Sequence, residues 1–170
     1  MEIRSATTED IPALMQLVRR VVPAMRAAGN LQWGDDYPNA EVFLRDIEMA
    51  QLWVATVDGT LAGVIAATTG ASPEYAEANC DLDEPAIEVH RLAVDPAFRG
   101  GGIAVALLMK AEQVARAKNI AVIRTDTNSE NQATQKLFPR LGYEYVGEIS
   151  LTARPGLRFL CYEKRLQAPA

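Results

Sequence analysis

Apolar positions recur along this chain with two different periods. Ile11, Leu14, Met15, Val18, Val21 and Val22 are spaced as one face of an amphipathic helix. Thr7-Thr8-Glu9-Asp10 ahead of them reads as a capping box with an acidic third position, and Gly29-Asn30 behind them is a good stop. A helix is therefore predicted between these signals. Pro12 is tolerated in its first turn, while Pro23 is predicted to bend or divide it. Glu2 to Ser5 is a short strand, Leu31 to Pro38 is irregular and carries two aromatics, and a second helix runs from about Ala40 to Met49. Leu52 to Val57 and Leu61 to Thr69 are apolar and β-prone, and the Asp58-Gly59 between them suits a tight antiparallel turn.

From Gly70 to Pro85 the period is lost. Glu74, Glu77, Asp81, Asp83 and Glu84 occur there with no basic residue, which reads as a solvated loop. Ala86 to Met109 then begins as a β-branched run, breaks at Asp95-Pro96, passes three consecutive glycines and resumes at helical spacing, with Ala104, Leu107, Leu108, Ala111 and Ala115 as one stripe. Ala121 to Thr127 is a strand, and Asn131 to Leu141 a helix with Pro139 in its last turn. Glu144 to Ser150 and Leu157 to Lys164 pair about Arg154-Pro155-Gly156. This order predicts an α/β fold with a mixed, largely antiparallel central sheet flanked by helices and one parallel crossover through the glycine turn. No repeat, low-complexity run or composition shift marks a boundary, so residues 1–170 read as a single domain.

Composition narrows the function classes. The chain is 49% hydrophobic and 23% charged, as in ordinary globular proteins, with a net charge of -5. That balance argues against nucleic acid as the partner. Cys80 and Cys161 lie far apart without metal spacing, and His90 is the one histidine, so no metal is expected. Pairing in a disulfide would need both cysteines; reduced thiols are the simpler reading. The N-terminal MEIRSATTED has no basic start and apolar core, and no apolar run is long enough to cross a bilayer, so a cytoplasmic protein without membrane contact is expected.

A strand that feeds a helix through glycines leaves several backbone N–H groups unpaired at the positive end of the helix dipole, which is an anion site and most often one for phosphate. The P-loop pattern fails because no Gly-Lys-Ser/Thr follows. The dinucleotide fingerprint fails at Val105. What does fit is an Arg/Gln-x-x-Gly-x-Gly/Ala signature: Arg99-Gly100-Gly101-Gly102-Ile103-Ala104, following Leu92-Ala93-Val94-Asp95-Pro96. The later Asn131-Gln-Ala-Thr-Gln-Lys-Leu137-Phe138 and Leu141-Gly142-Tyr143 add a second motif. On these residues the chain resembles the GCN5-related N-acetyltransferases (GNAT), closely over Glu88 to Tyr143 and in element order before that.

The resemblance implies a GNAT-like acyl-CoA N-acyltransferase fold and transfer of acetyl from acetyl-CoA to a primary amine of a small molecule or peptide. Attack is direct, in a ternary complex. Arg99 to Ala104 would take the coenzyme's pyrophosphate. The strand would splay or bulge near Leu92, Ala93 and Val94 so that its backbone meets the pantetheine arm and polarises the thioester. Asn131 would bond the arm, or cap its helix, or both. Glu88 and His90 occupy positions where family members carry general bases; on a regular strand they share a face with Leu92 and Val94. Either can accept an ammonium proton, and Glu88 is taken as the main base with His90 assisting. A cysteine nucleophile is the minor alternative, since neither has a readable activating partner. Phe138 stands where many members carry the tyrosine that protonates the leaving thiolate, so Tyr143, Tyr145 or water would replace it. Trp33 and Tyr37 would wall the acceptor site, with Asp35 and Asp36 nearby to draw in an amine or simply to be solvated. Self-association as a homodimer is compatible with the fold. A non-catalytic acyl-CoA or ligand-binding module of the same fold is the alternative reading, and an unrelated nucleotide-binding α/β protein a third.

Overall fold

The computed structural model describes residues 1–168. Seven strands, β1 (Glu2–Ser5), β2 (Leu52–Val57), β3 (Thr60–Thr69), β4 (Ala86–Val94), β5 (Val122–Asn128), β6 (Glu144–Ile149) and β7 (Phe159–Arg165), form one sheet in the order β1-β2-β3-β4-β5-β7-β6. All neighbours are antiparallel except β4 and β5. The mixed, largely antiparallel sheet flanked by helices is the architecture the periodicity predicts.

Helix α1 (Ile11–Ala27) buries Leu14, Leu17, Val18, Val21 and Val22 against one face of the sheet, together with Phe43 of α2 (Ala40–Glu48). Each such side chain contributes roughly 1.5–3 kcal/mol. That continuous stripe is why Pro23 does not divide α1: the ring removes one donor, but the helix runs unbroken to Ala27. Its start is set by the Asp10 carboxylate, which accepts from the Thr7 N–H at 2.8 Å and pairs with Arg4.

The opposite face carries α3 (Ile103–Ala117) and α4 (Gln132–Arg140). Ile103, Leu107, Leu108, Ala111 and Ala115 are the buried positions of α3, so Ile103 rather than Ala104 opens the stripe. Its first turn sits directly on β3. A Cβ at Gly63 would lie 2.9 Å from Ile103 Cγ2 and 3.1 Å from Leu107 Cδ1, so glycine there lets the helix N-terminus approach the sheet.

The acidic segment after β3 is more than a solvated loop. Pro73–Ala78 forms a short 3-10 helix that buries Tyr75 and Ala78 against Ile149, Phe159 and Cys161. Glu77 fastens it to the sheet by accepting from the Ser150 N–H and hydroxyl. Two buried residues, Tyr75 and Ala78, among carboxylates leave no periodic signal in so short a segment.

Candidate active site

β4 and β5 pair only from Ala86↔Val122 to Val89↔Thr125. Beyond that register β5 stays bonded to β7 as far as Asn128, and β4 continues to Val94 paired with β3 only. The β5-facing backbone groups of β4 from His90 onward thus have no strand partner, and a cleft of about 560 Å³ opens between the strands. It is walled by the Gln32–Tyr37 loop on one side and by the 3-10 helix and residues 149–154 on another.

The parting of the strands is accompanied by a bulge. Ala66 opposes His90 but Val64 opposes Ala93, so β4 spends three residues where β3 spends two. Arg91 absorbs the extra step in a left-handed conformation, φ 53°. The predicted face-sharing therefore fails. Glu88 and His90 face the α1–α2 side, whereas Leu92 and Val94, past the bulge, pack with the α3 core, and Ala93 packs with the α1 core. Arg91 is held by a bidentate ion pair to Asp46 of α2, at 2.5 and 2.8 Å, and donates to the Tyr37 hydroxyl at 2.9 Å. The clamp ties the bulge to the loop that walls the cleft.

Glu88 lies behind His90 rather than in the open cleft. Its carboxylate, 1% exposed, accepts from the Ser72 N–H at 2.7 Å and hydroxyl at 2.5 Å, and meets His90 Nε2 at 3.2 Å. Burial opposes its ionisation, but these hydrogen bonds from His90 and Ser72 outweigh burial and hold the carboxyl below its ordinary value. An ionised Glu88 accepts from Nε2–H, the tautomer that leaves Nδ1 of the cleft-lining His90 as the proton acceptor.

One residue past the last β4–β5 pair, Asp126 of β5 stands across from His90 and also lines the cleft. Its Oδ1 accepts from the Tyr75 hydroxyl at 2.8 Å. Burial raises its pKa; nearby Glu88 and Glu74 push the same way, while His90 and Tyr75 oppose. One segment, Ser72–Tyr75, thereby positions both carboxylates.

Of the residues singled out in the sequence, Trp33, Tyr37, His90, Leu92, Asn131 and Phe138 line this one cleft. Trp33 is itself 4% exposed and packs in the α1 core, edge-on to Tyr37. Asn131 caps α4, its Oδ1 accepting from Thr134 N–H at 3.3 Å. Tyr143 is not brought to the cleft. It is 2% exposed, its ring packs on Phe138, its hydroxyl has no partner among the described residues, and burial raises its pKa, so it is neither placed nor poised to protonate a thiolate. Tyr145 points away, exposed, against Tyr162. Asp36 does not offer a free charge, because Arg154 takes it bidentately at 2.9 and 3.0 Å. Ser72, Tyr75, Arg91 and Asp126 were missed by sequence reasoning. For Asp126 a signal existed: a carboxylate within a strand flanked by β-prone residues has to face something polar.

The glycine turn lies farther along, where β4 has ended and α3 begins. Gly100 and Gly102 adopt φ 82° and 75°, exposed, with nothing within 4 Å of where a Cβ would project. Their backbone is open to an anion, and the turn feeds a helix whose first N–H groups are free. Gly102→Val is expected to cost about 1–3 kcal/mol of strain at this left-handed position and to weaken coenzyme A binding accordingly, read as a calorimetric Kd against an unaltered far-UV spectrum.

Comparison with known proteins agrees with this geometry. A family profile described as "Acetyltransferase (GNAT) family" matches residues 16–143. N-acetylaspartate synthetase of Homo sapiens is 31% identical over 112 residues, which are 66% of this chain and 33% of that protein. The chain thus spans about a third of the length of that relative. A solved GNAT acetyltransferase of Streptococcus agalactiae superposes with a TM-score of 0.84 at 29% identity, covering 98% of this chain and 96% of the other. PaiA N-acetyltransferase of Thermoplasma acidophilum, solved in complex with coenzyme A, superposes at 0.69 with 20% identity over 96% and 98% of the two chains, a likeness of fold. With the splayed β4–β5 pair, the bulge and the glycine turn all in place, the chain belongs to the GNAT acetyltransferase family.

Proposed function

We propose that the protein transfers acetyl from acetyl-CoA to a primary amine of a small molecule or peptide by direct attack within a ternary complex. The observation that carries the reading is the opening between β4 and β5, with His90 at its mouth and the glycine turn at the far end of the same strand-to-helix unit. The turn at Gly100–Gly102 and the start of α3 hold the pyrophosphate. The unpaired β4 edge bonds the pantetheine arm, and an N–H fixed there by the Arg91 bulge supports the charge that grows on the carbonyl oxygen.

His90 touches the amine and Glu88 orients it. The cleft aligns amine and thioester, which removes most of the entropy cost of their meeting. In balance, an ammonium and acetyl-CoA give an amide, a thiol and one proton: an N–C bond forms, the C–S bond breaks, and nitrogen gives up two hydrogens. His90 takes a proton from nitrogen and can return one to sulfur, so the transfer needs no separate tyrosine acid. This is consistent with Phe138 at the cleft and Tyr143 in the core. Cys161 is unsuited to covalent catalysis, since burial raises its thiol pKa strongly.

Calorimetric titration with acetyl-CoA followed by a thiol-release assay over an amine panel tests the reading. Binding with amine-dependent thiol release and an acetylated product supports it. Binding without release by any amine replaces it with a ligand-binding role for the same fold.

A further inference from the structure

The cleft carries charge that the reaction above does not use. Besides His90, three carboxyl side chains and two guanidinium groups line it: Asp36, Glu74 and Asp126, and Arg91 and Arg154. Both cations are spent. Arg91 is bound to Asp46 and Tyr37, and Arg154 to Asp36 and the Gln32 carbonyl. Glu74 and Asp126 have no cationic partner among the described residues. Asp126 is a built feature rather than a stray surface charge. It is half-buried on an interior strand, its Oδ1 is fixed by the buried Tyr75 hydroxyl, and its Oδ2 makes no hydrogen bond within the described residues. It stands across the splayed strands from the one histidine.

We propose that Asp126, braced by Tyr75, receives the acceptor's ammonium and holds it against His90, so that the cleft selects cationic amines that carry no carboxylate beside the reacting nitrogen. The inference rests on the reading of this cleft as an amine-acceptor site. A desolvated ammonium needs a carboxylate in hydrogen-bond reach, and Asp126, set on β5 across from His90, has an oxygen to spare. A carboxylate on the acceptor would enter beside Asp126 and Glu74 and find no uncommitted cation in the cleft among the described residues, which is a repulsive contribution to specificity. Tyr75 keeps the Asp126 side chain in place, and a docked cation favours the ionised carboxylate against the burial that raises its pKa.

The test is calorimetric binding of butylamine and of aspartate to the coenzyme A-loaded protein, with thiol release from acetyl-CoA measured in parallel. Wild type is expected to bind butylamine at least tenfold more tightly than aspartate. Asp126→Asn, which keeps an acceptor for Tyr75, is expected to weaken butylamine by roughly tenfold or more and to narrow the discrimination against aspartate. Asp126→Glu should restore most of the affinity, and coenzyme A should bind all three proteins equally, which reports that they are folded. Equal butylamine affinity in wild type and Asp126→Asn, or tighter binding of aspartate than butylamine by wild type, overturns the proposal. Butylamine binding that depends on Asp126 without any thiol release upholds it while refuting acetyl transfer. Turnover of butylamine indifferent to Asp126→Asn does the reverse.

Discussion

Replacing His90 with alanine is expected to lower kcat/KM for the acceptor by about a hundred- to ten-thousand-fold, the usual worth of a positioned general base, while the Kd for acetyl-CoA stays unchanged. His90 is the group in the Glu88–His90 pair that lines the cleft; Glu88 is sealed by Ser72 and the imidazole itself. Glu88→Gln should therefore also reduce turnover, but by misorienting the ring rather than by removing the base. The pair can be separated by stability. A carboxyl whose folded pKa lies below its unfolded value, near 4.3 for Glu, adds stability that is fully present above the unfolded value and is lost as pH falls through the folded one. Wild type should thus lose stability relative to Glu88→Gln as the solution is acidified below about pH 4.3, measured as the difference in urea midpoints. If His90→Ala retained wild-type turnover while Glu88→Gln abolished it, the order of the two residues would be reversed.

Asp46→Ala is expected to destabilise the fold by about 3 kcal/mol, because it leaves the Arg91 guanidinium largely buried without its carboxylate. Arg91 is already in a left-handed conformation at the bulge, so the ion pair to α2 and the bond to Tyr37 hold the backbone where the unpaired β4 edge begins. Two readouts follow. Thermal unfolding should shift down, and kcat should fall because the β4 backbone amides proposed to meet the thioester are no longer held. The double substitution Asp46→Leu with Arg91→Met removes both charges together and should recover most of the stability, yet not the turnover. Recovery of both would reduce the clamp to a stabilising pair with no role in placing the bulge.

Much of this arrangement was legible in the chain. The apolar stripes of α1 and α3 marked both layers, the Asp58-Gly59 turn fixed the hairpin, and the glycines of 100–102 marked the turn that starts α3. What escaped depends on contacts between distant segments. A bulge is invisible to a period-two reading, so Leu92 and Val94 were placed on the wrong face. Tyr75 sits in a segment whose composition says solvated loop, and only its packing against Phe159 and Cys161 turns it inward. Asp36 looked available because its partner, Arg154, is 118 residues away. Tyr143 follows the motif closely enough to suggest chemistry, but the sequence does not say that its hydroxyl ends inside the core.

The most direct test of transfer within one cleft is the initial-velocity pattern with acetyl-CoA and a cationic amine varied together, run beside intact-mass analysis of protein incubated with acetyl-CoA alone. Intersecting lines and an unmodified protein are the expected result. Parallel lines with an acetyl group carried on Cys80 or Cys161 would contradict direct attack at the β4–β5 opening.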